Sequence, residues 1–189
     1  MVRTVLAGFV GALIVFLWGA LAWQVFGLWS DGVRELPGDG AVERVIAEAV
    51  GSDGAYYFPG GLDADPEGFT IRHRAGPVGL VTIRTGGAEP FSVRSMVGGF
   101  LITLLCAIMM AGVQAYAGSL GGGWLGRAAV GAVIAVFAVS STYALQWNWF
   151  FWPDDYAATL AADGLIGWFV AALVTATVVG RTPDVVLSS

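Results

Sequence analysis

Asp163 sits inside an otherwise uncharged apolar run, Ala157 to Gly180, and is the residue whose type and place most need a reason. An acid about two turns into a membrane-crossing helix costs about 2.5–3.5 kcal/mol on insertion scales at mid-helix, and less near the end. On a helix its face runs on through Thr159, Gly167, Val170, Ala171 and Val174, a small-residue side suited to packing, with Leu165 and Trp168 on the other side. If the apolar runs alternate in direction, Gln24, Ser141, Tyr143, Gln146 and Asn148 come to the same depth, and Arg94 supplies the opposite charge. Two chemistries fit this intramembrane polar cluster: a proton or solute site, or a hydrogen-bonded clasp tying four helix ends. Polar clusters at the water boundary are commonly structural, which favours the clasp.

A second candidate is the aromatic stretch Gln146 to Tyr156, which holds Trp147, Trp149, Phe150, Phe151 and Trp152. So much aromatic surface is costly to leave wet, so it suits either a platform for a protein or lipid partner or an interfacial anchor, and its place beside an apolar run favours the anchor. Tyr56-Tyr57-Phe58-Pro59-Gly60 divides in the same way between a docking strand and the core of a small domain, with the core favoured. No Ser-His-Asp set or Gly-rich phosphate loop is found, and no paired carboxylates beyond Asp154 and Asp155, which are adjacent and expected to be solvated. A single His (His73) and a single Cys (Cys106) cannot build a usual zinc or haem site or an internal disulfide, so no metal, cofactor or catalytic residue is assigned. The nine basic residues are all Arg, they do not cluster, and the net charge is -5, which argues against a nucleic-acid partner and a polybasic lipid-headgroup motif.

These side chains must be positioned by helices in lipid. The 189 residues are 57% hydrophobic and 12% charged, with a mean hydropathy of +0.74, whereas soluble domains average about a quarter charged residues. A bilayer core about 30 Å thick takes about 20 apolar residues in a helix. Four runs qualify, at 4–29, 96–117, 124–146 and 157–180, with Arg127 close enough to an end to snorkel. Met1-Val2-Arg3, an apolar stretch and Ala20-Leu21-Ala22 also read as a cleavable signal peptide, but the apolar run continues through Trp23, Val25, Phe26, Leu28 and Trp29, a length that spans. Arg3, Arg127 and Arg181 fall on one side of the alternating spans, while the short connection with Asp154 and Asp155 lacks Arg, so both termini are expected to be cytoplasmic. Trp23, Trp29 and the aromatic outer loop, 147–156, then lie at headgroup level. Gly8, Gly11, Ala12 and Gly19, and Gly131 with Ala135, provide small faces for internal packing or for a second copy of the chain. Residues 181–189 are expected to be a frayed cytoplasmic tail.

Between Ser30 and Ser95 the composition changes: ten acids, six Arg and five of the seven Pro mark an extracytoplasmic domain. Asp39 is placed to cap a helix with apolar positions Val42, Val45, Ile46 and Ala49, ended by Gly51. Ala55 to Phe58 reads as a short strand, Phe69 to Arg74 alternates as a second with His73 half-buried, and Val78 to Arg84 returns antiparallel to it. A unit this small has a marginal core and is expected to lean on the helix ends or on a partner. The predicted fold is therefore a membrane all-α four-helix bundle with a small α+β extracytoplasmic domain inserted between helices 1 and 2.

One span, a short domain containing Tyr56-Tyr57-Phe58-Pro59-Gly60, the entry Met96-Val97-Gly98-Gly99-Phe100-Leu101, and Trp147-Asn148-Trp149 with Pro153 ahead of Asp163 together resemble a group of uncharacterised small bacterial four-helix membrane proteins. The resemblance implies a bacterial cytoplasmic (inner) membrane location and brings no activity. The four-span topology and Gly27-Leu28-Trp29 are also similar to claudin-like proteins, but the tripeptide sits at the end of a span and the paired first-loop cysteines are missing, so that match is rejected. The expected role is a non-enzymatic accessory or scaffold subunit that contacts the bilayer and another membrane protein, or its own copies, through the outer domain and aromatic loop. The alternative is a small-solute or proton transporter component using Asp163; a lipid-modifying enzyme is weaker, since no nucleophile and base can be paired.

Overall fold

A computed structural model describes residues 1–180 apart from 29–31, 37 and 39, so Trp29, Asp39 with its expected cap, and the tail 181–189 lie outside the described residues. In chain order the elements are α1 (Val2–Gln24), α2 (Ala41–Ala49), β1 (Gly54–Phe58), α3 (Pro66–Ala75), β2 (Gly79–Ile83), α4 (Val93–Ser119), α5 (Trp124–Val139), a π-turn (Ser140–Ala144), α6 (Leu145–Phe150) and α7 (Asp154–Val179). Four stretches are long and apolar enough to cross a membrane: α1, α4, α5 continued through α6, and α7.

Small residues decide how these helices meet. α1 packs on α4 and α7, and α5 on α7 and α4. The pairs run antiparallel: Gly8 faces Ile108, Gly11 faces Thr175, Gly167 faces Trp18 and Gly131 faces Gln114. At Gly8 a Cβ would lie 2.7 Å from the Ile108 Cα, so backbone meets backbone there. Ala7, Ala12, Ala107, Ala111, Ala171, Ala172 and Ala176 are wholly buried, while Leu17, Ile102, Leu105, Met109 and Phe137 point outward and are exposed. Bulk outside and alanine inside is the pattern lipid allows, because lipid tails give apolar side chains no reason to turn inward. In water the same outward face would be an aggregation surface. The chain is a mostly helical, multi-pass membrane protein with one small sheet.

The segment between α1 and α4 departs from expectation in one element. Residues 69–74 are not a strand; they lie within α3. Asp65 caps that helix by accepting from the Gly68 N–H at 2.9 Å. Pro66 takes the first helical position, and Glu67 and the Arg72-His73-Arg74 run match the dipole at opposite ends. Gly76, at φ 71°, ends it. The alternation of Phe69, Ile71 and His73 is incidental: Phe69 and His73 share a helix face at i, i+4 and Ile71 stands exposed on another. β2 instead pairs antiparallel with β1, Tyr56 opposite Val81 and Tyr57 opposite Leu80, giving two strands rather than three. Asp53 closes the open end of the hairpin by accepting from both the amide and the hydroxyl of Thr85, each at 2.8 Å. α2 starts after Gly40, whose φ of 77° suits glycine, and ends at Ala49.

The aromatic outer loop is also shorter than 147–156. Trp147 to Phe150 are helical in α6, because the π-turn carries the third long helix onward, and only Phe151, Trp152 and Pro153 separate α6 from α7. Phe151 takes a left-handed φ of 55°, unusual for a residue with a side chain, and so reverses the chain.

Candidate functional site

At the end of the helices nearer the inserted segment, a groove of about 690 Å³ runs between α1, the entry to α4, the π-turn and α7. Three glycines shape it. Gly19 and Gly99 line it with open space where a Cβ would stand, and Gly164 lets the Tyr143 ring lie against α7, where a Cβ would come within 3.3 Å of the ring. The π-turn, the kind of irregularity that often marks a working site, is what places Tyr143 there.

Asp163 lines this groove, and its partners are indoles. The Trp23 Nε1–H donates to Asp163 Oδ2 at 2.8 Å, and the Trp18 Nε1–H donates to the Asp163 backbone carbonyl at 3.1 Å. α1 is thereby pinned to α7 twice at one level. The second carboxylate oxygen, Oδ1, is buried and has no hydrogen-bond partner among the described residues. The expected counter-ion is absent: Arg94 is exposed, and the ion pairs among the described residues join Arg34 to Asp155 and Arg72 to Asp65. An indole takes the place of the guanidinium because α1, not the start of α4, lies against this face of α7. The face itself is rotated from the expected one: Trp168 packs on the core formed by Met110, Ala171 and Ala172, while Val170 is 44% exposed.

Of the other predicted cluster members, Gln24 and Tyr143 line the groove with Asp163, whereas Arg94, Gln146 and Asn148 do not. Ser141 turns back to the Ala138 carbonyl. Among the interface candidates, Trp149 is 68% exposed, and Phe151 and Trp147 about half. Trp147 donates to Asp154 at 2.7 Å, so Asp154 is not merely solvated. Trp152 leans on Tyr156 with ring centres 5.0 Å apart. Tyr56 and Tyr57 are half-buried with occupied hydroxyls: Tyr56 donates to the Ser52 carbonyl, and the Tyr57 hydroxyl meets His73 Nε2 at 2.8 Å. His73 in turn touches Phe69 and Phe151, each at 5.4 Å, and thus ties the inserted segment to the α6–α7 connection.

Two polar features were not singled out in the sequence. Gln114 and Thr175 are wholly buried among the long helices. Gln114 Nε2 donates to the Ala172 carbonyl at 2.9 Å, and the Thr175 hydroxyl lies 2.7 Å from Gln114 Oε1 and 2.8 Å from the Ala171 carbonyl. Gly131 and Gly11 provide the room, since a Cβ at either would strike Gln114 or Thr175. Their level, opposite Gly11, is about 14 Å along α1 from its start at 1.5 Å per residue, near the middle of a bilayer core. The signal was the spacing of Ala107, Met110, Ala111 and Gln114, which puts all four on one helix stripe. Arg127, rather than extending away, caps α7 by donating from Nε to the Ala176 carbonyl at 3.0 Å.

The described residues hold no group of three or more His, Cys, Asp or Glu able to bind a metal ion. Compared with protein-family models, curated proteins and solved structures, the chain shows no significant match to any of them.

Proposed function

We propose that this chain is a non-enzymatic accessory or scaffold subunit of a bacterial cytoplasmic membrane. Its four spans form a bundle with both termini in the cytoplasm, and the segment between α1 and α4, with the α6–α7 connection, faces outward to meet a partner. The observation that carries this reading is the exposed apolar surface at that end of the chain: Ile71 and Leu62 in the inserted segment are 63% and 58% exposed, and Trp149 near the end of the third span is 68% exposed. The ring contact of His73 with Phe151 and the surface ion pair of Arg34 with Asp155 join that segment to the α6–α7 connection and the start of α7. The Trp23 to Asp163 bond supports a clasp at Asp163, consistent with a scaffold. Extraction of native membranes in mild detergent tests the role: a defined larger complex with a second protein is expected, and a monodisperse lone chain with no recoverable interactor contradicts it.

A second reading, a small-solute or proton transporter component working at Asp163, is favoured by the groove and by the unpartnered Oδ1. Flux that is lost in Asp163→Asn while the fold is retained would select it.

A further inference from the structure

We propose that α2 is a docking helix that seats its apolar face in a groove of a partner protein, rimmed on both sides by Lys or Arg. None of the described residues from Gly32 to Ser95 is buried. The inserted segment therefore has elements but no core of its own, and a unit of that size needs something to cover it. α3 is at least joined to β1 and to the α6–α7 connection through His73. α2 takes no part in the main packing pairs, and no side chain in it is buried. At 3.6 residues per turn, Val42, Val45, Ile46 and Ala49 form a stripe about 100° wide, and Val45 within it is 65% exposed. Glu43 stands about 60° beyond one edge of the stripe and Glu48 about 60° beyond the other. Neither acid has an ion-pair partner among the described residues. Arg44 lies at the back of the helix, where its Nε–H donates to the Gly40 carbonyl at 3.4 Å.

The sign of the two rims selects the occupant. A second copy of α2 does not fit: whether the two helices pair parallel or antiparallel, each rim collects acids from both copies and no base, because Arg44 is at the back. The bilayer surface does not fit either, since a helix lying there holds its rims at phosphate level, the place of Lys and Arg rather than of Glu. A protein groove with basic rims covers the stripe and meets both acids with the opposite charge. That is the helix-in-groove mode, read from anchors at i, i+3, i+4 and i+7. This inference rests on the accessory reading, to which it adds the element that docks and the chemistry of the partner.

Two designed helical hairpins serve as probes, alike in the leucine-lined groove between their helices, one with that groove rimmed by Lys and the other by Glu. Each is fluorescently labelled and titrated with the full chain in phosphatidylcholine nanodiscs, and binding is followed by anisotropy. The Lys-rimmed hairpin should bind about tenfold more tightly, a difference of about 1.4 kcal/mol. Glu43→Gln with Glu48→Gln should erase that preference, and Val45→Asn should weaken both hairpins. Asp63→Asn with Glu89→Gln removes two exposed acids outside α2 and should leave the preference unchanged, which controls for overall charge. In native membranes, a benzoylphenylalanine at Val45 should capture the same second protein as one at Trp149, at a site with Lys or Arg within one helical turn. Capture of a second protein at Trp149 with only lipid or another copy of the chain at Val45 overturns this inference and leaves the accessory reading standing. No second protein at either position overturns both. Equal binding of the two hairpins, or a preference that survives Glu43→Gln with Glu48→Gln, also overturns the inference.

Discussion

Trp23 and Asp163 should behave as one energetic unit, measurable as a coupling in a double-mutant cycle. The indole N–H reaches Oδ2 at 2.8 Å, a hydrogen bond to an ionisable group in a partly buried place. Such bonds contribute about 1.5–3 kcal/mol in soluble proteins, and side-chain pairs within membranes average about 0.6 and reach about 1.7, so the coupling here is expected at about 1–2 kcal/mol. Trp23→Phe removes the donor and leaves the carboxylate with neither oxygen bonded by an indole. Asp163→Asn keeps an acceptor oxygen for Trp23 and removes the charge, so its own cost is smaller. Trp18 is the internal control. Its N–H donates to the Asp163 backbone carbonyl, which no side-chain change at 163 removes, so Trp18→Phe and Asp163→Ala should add to within about 0.5 kcal/mol. Equilibrium unfolding in mixed micelles gives all the free energies. A Trp23/Asp163 coupling below about 0.3 kcal/mol, or one no larger than the Trp18/Asp163 value, would refute the clasp.

Helix contacts make further demands. Gly8→Ala should destabilise the fold by about 2–3 kcal/mol, because the new methyl meets the Ile108 backbone, whereas Gly19→Ala, with nothing within 4 Å, should be neutral or slightly stabilising in the same micelle unfolding assay. Gln114→Leu should cost about 1–2 kcal/mol rather than more, since Thr175 keeps the Ala171 carbonyl as acceptor; a loss above about 4 kcal/mol in that assay would mean the pair does more than bond. The Thr85 hydroxyl, and then its amide, hold the Asp53 carboxyl below its ordinary value of 3.8. A carboxyl whose folded value is depressed adds stability that is full above the unfolded value and is lost as pH falls through the folded one. Protection of the Thr85 amide against hydrogen exchange, taken relative to its intrinsic rate, should therefore be full above the ordinary carboxyl value of 3.8 and be lost as pH falls through the lower folded value, and Asp53→Ala should remove that pH dependence.

The long helices were legible because a bilayer imposes a length, and uncharged runs of that length stand out against the Arg- and acid-bearing segment between them. Contacts were less legible where one residue type serves two purposes. Trp23 reads as an interfacial belt residue, and only the antiparallel approach of α1 to α7 reveals it as the donor to Asp163. Gln114 is one polar residue in an apolar run, and its value as a partner depends on Thr175, which is 61 residues away. The Phe69 to Arg74 alternation misled because period two over so few residues also arises within a helix. Asp65-Pro66-Glu67 ahead of it, and basic residues in the last turn, were the stronger signs. The aromatic stretch looked like a loop because tryptophans belong at interfaces, yet interface residues are also found on helix ends, as Trp147 and Trp149 are in α6.

The partner contact is tested most directly by photocrosslinking in native membranes, with a benzoylphenylalanine at Trp149 and, separately, at Ile71, followed by mass spectrometry of the products. The accessory reading predicts that both positions capture the same second protein, from the side of the membrane opposite the termini. Crosslinks to lipid alone, or to different proteins on opposite sides of the membrane, would contradict it.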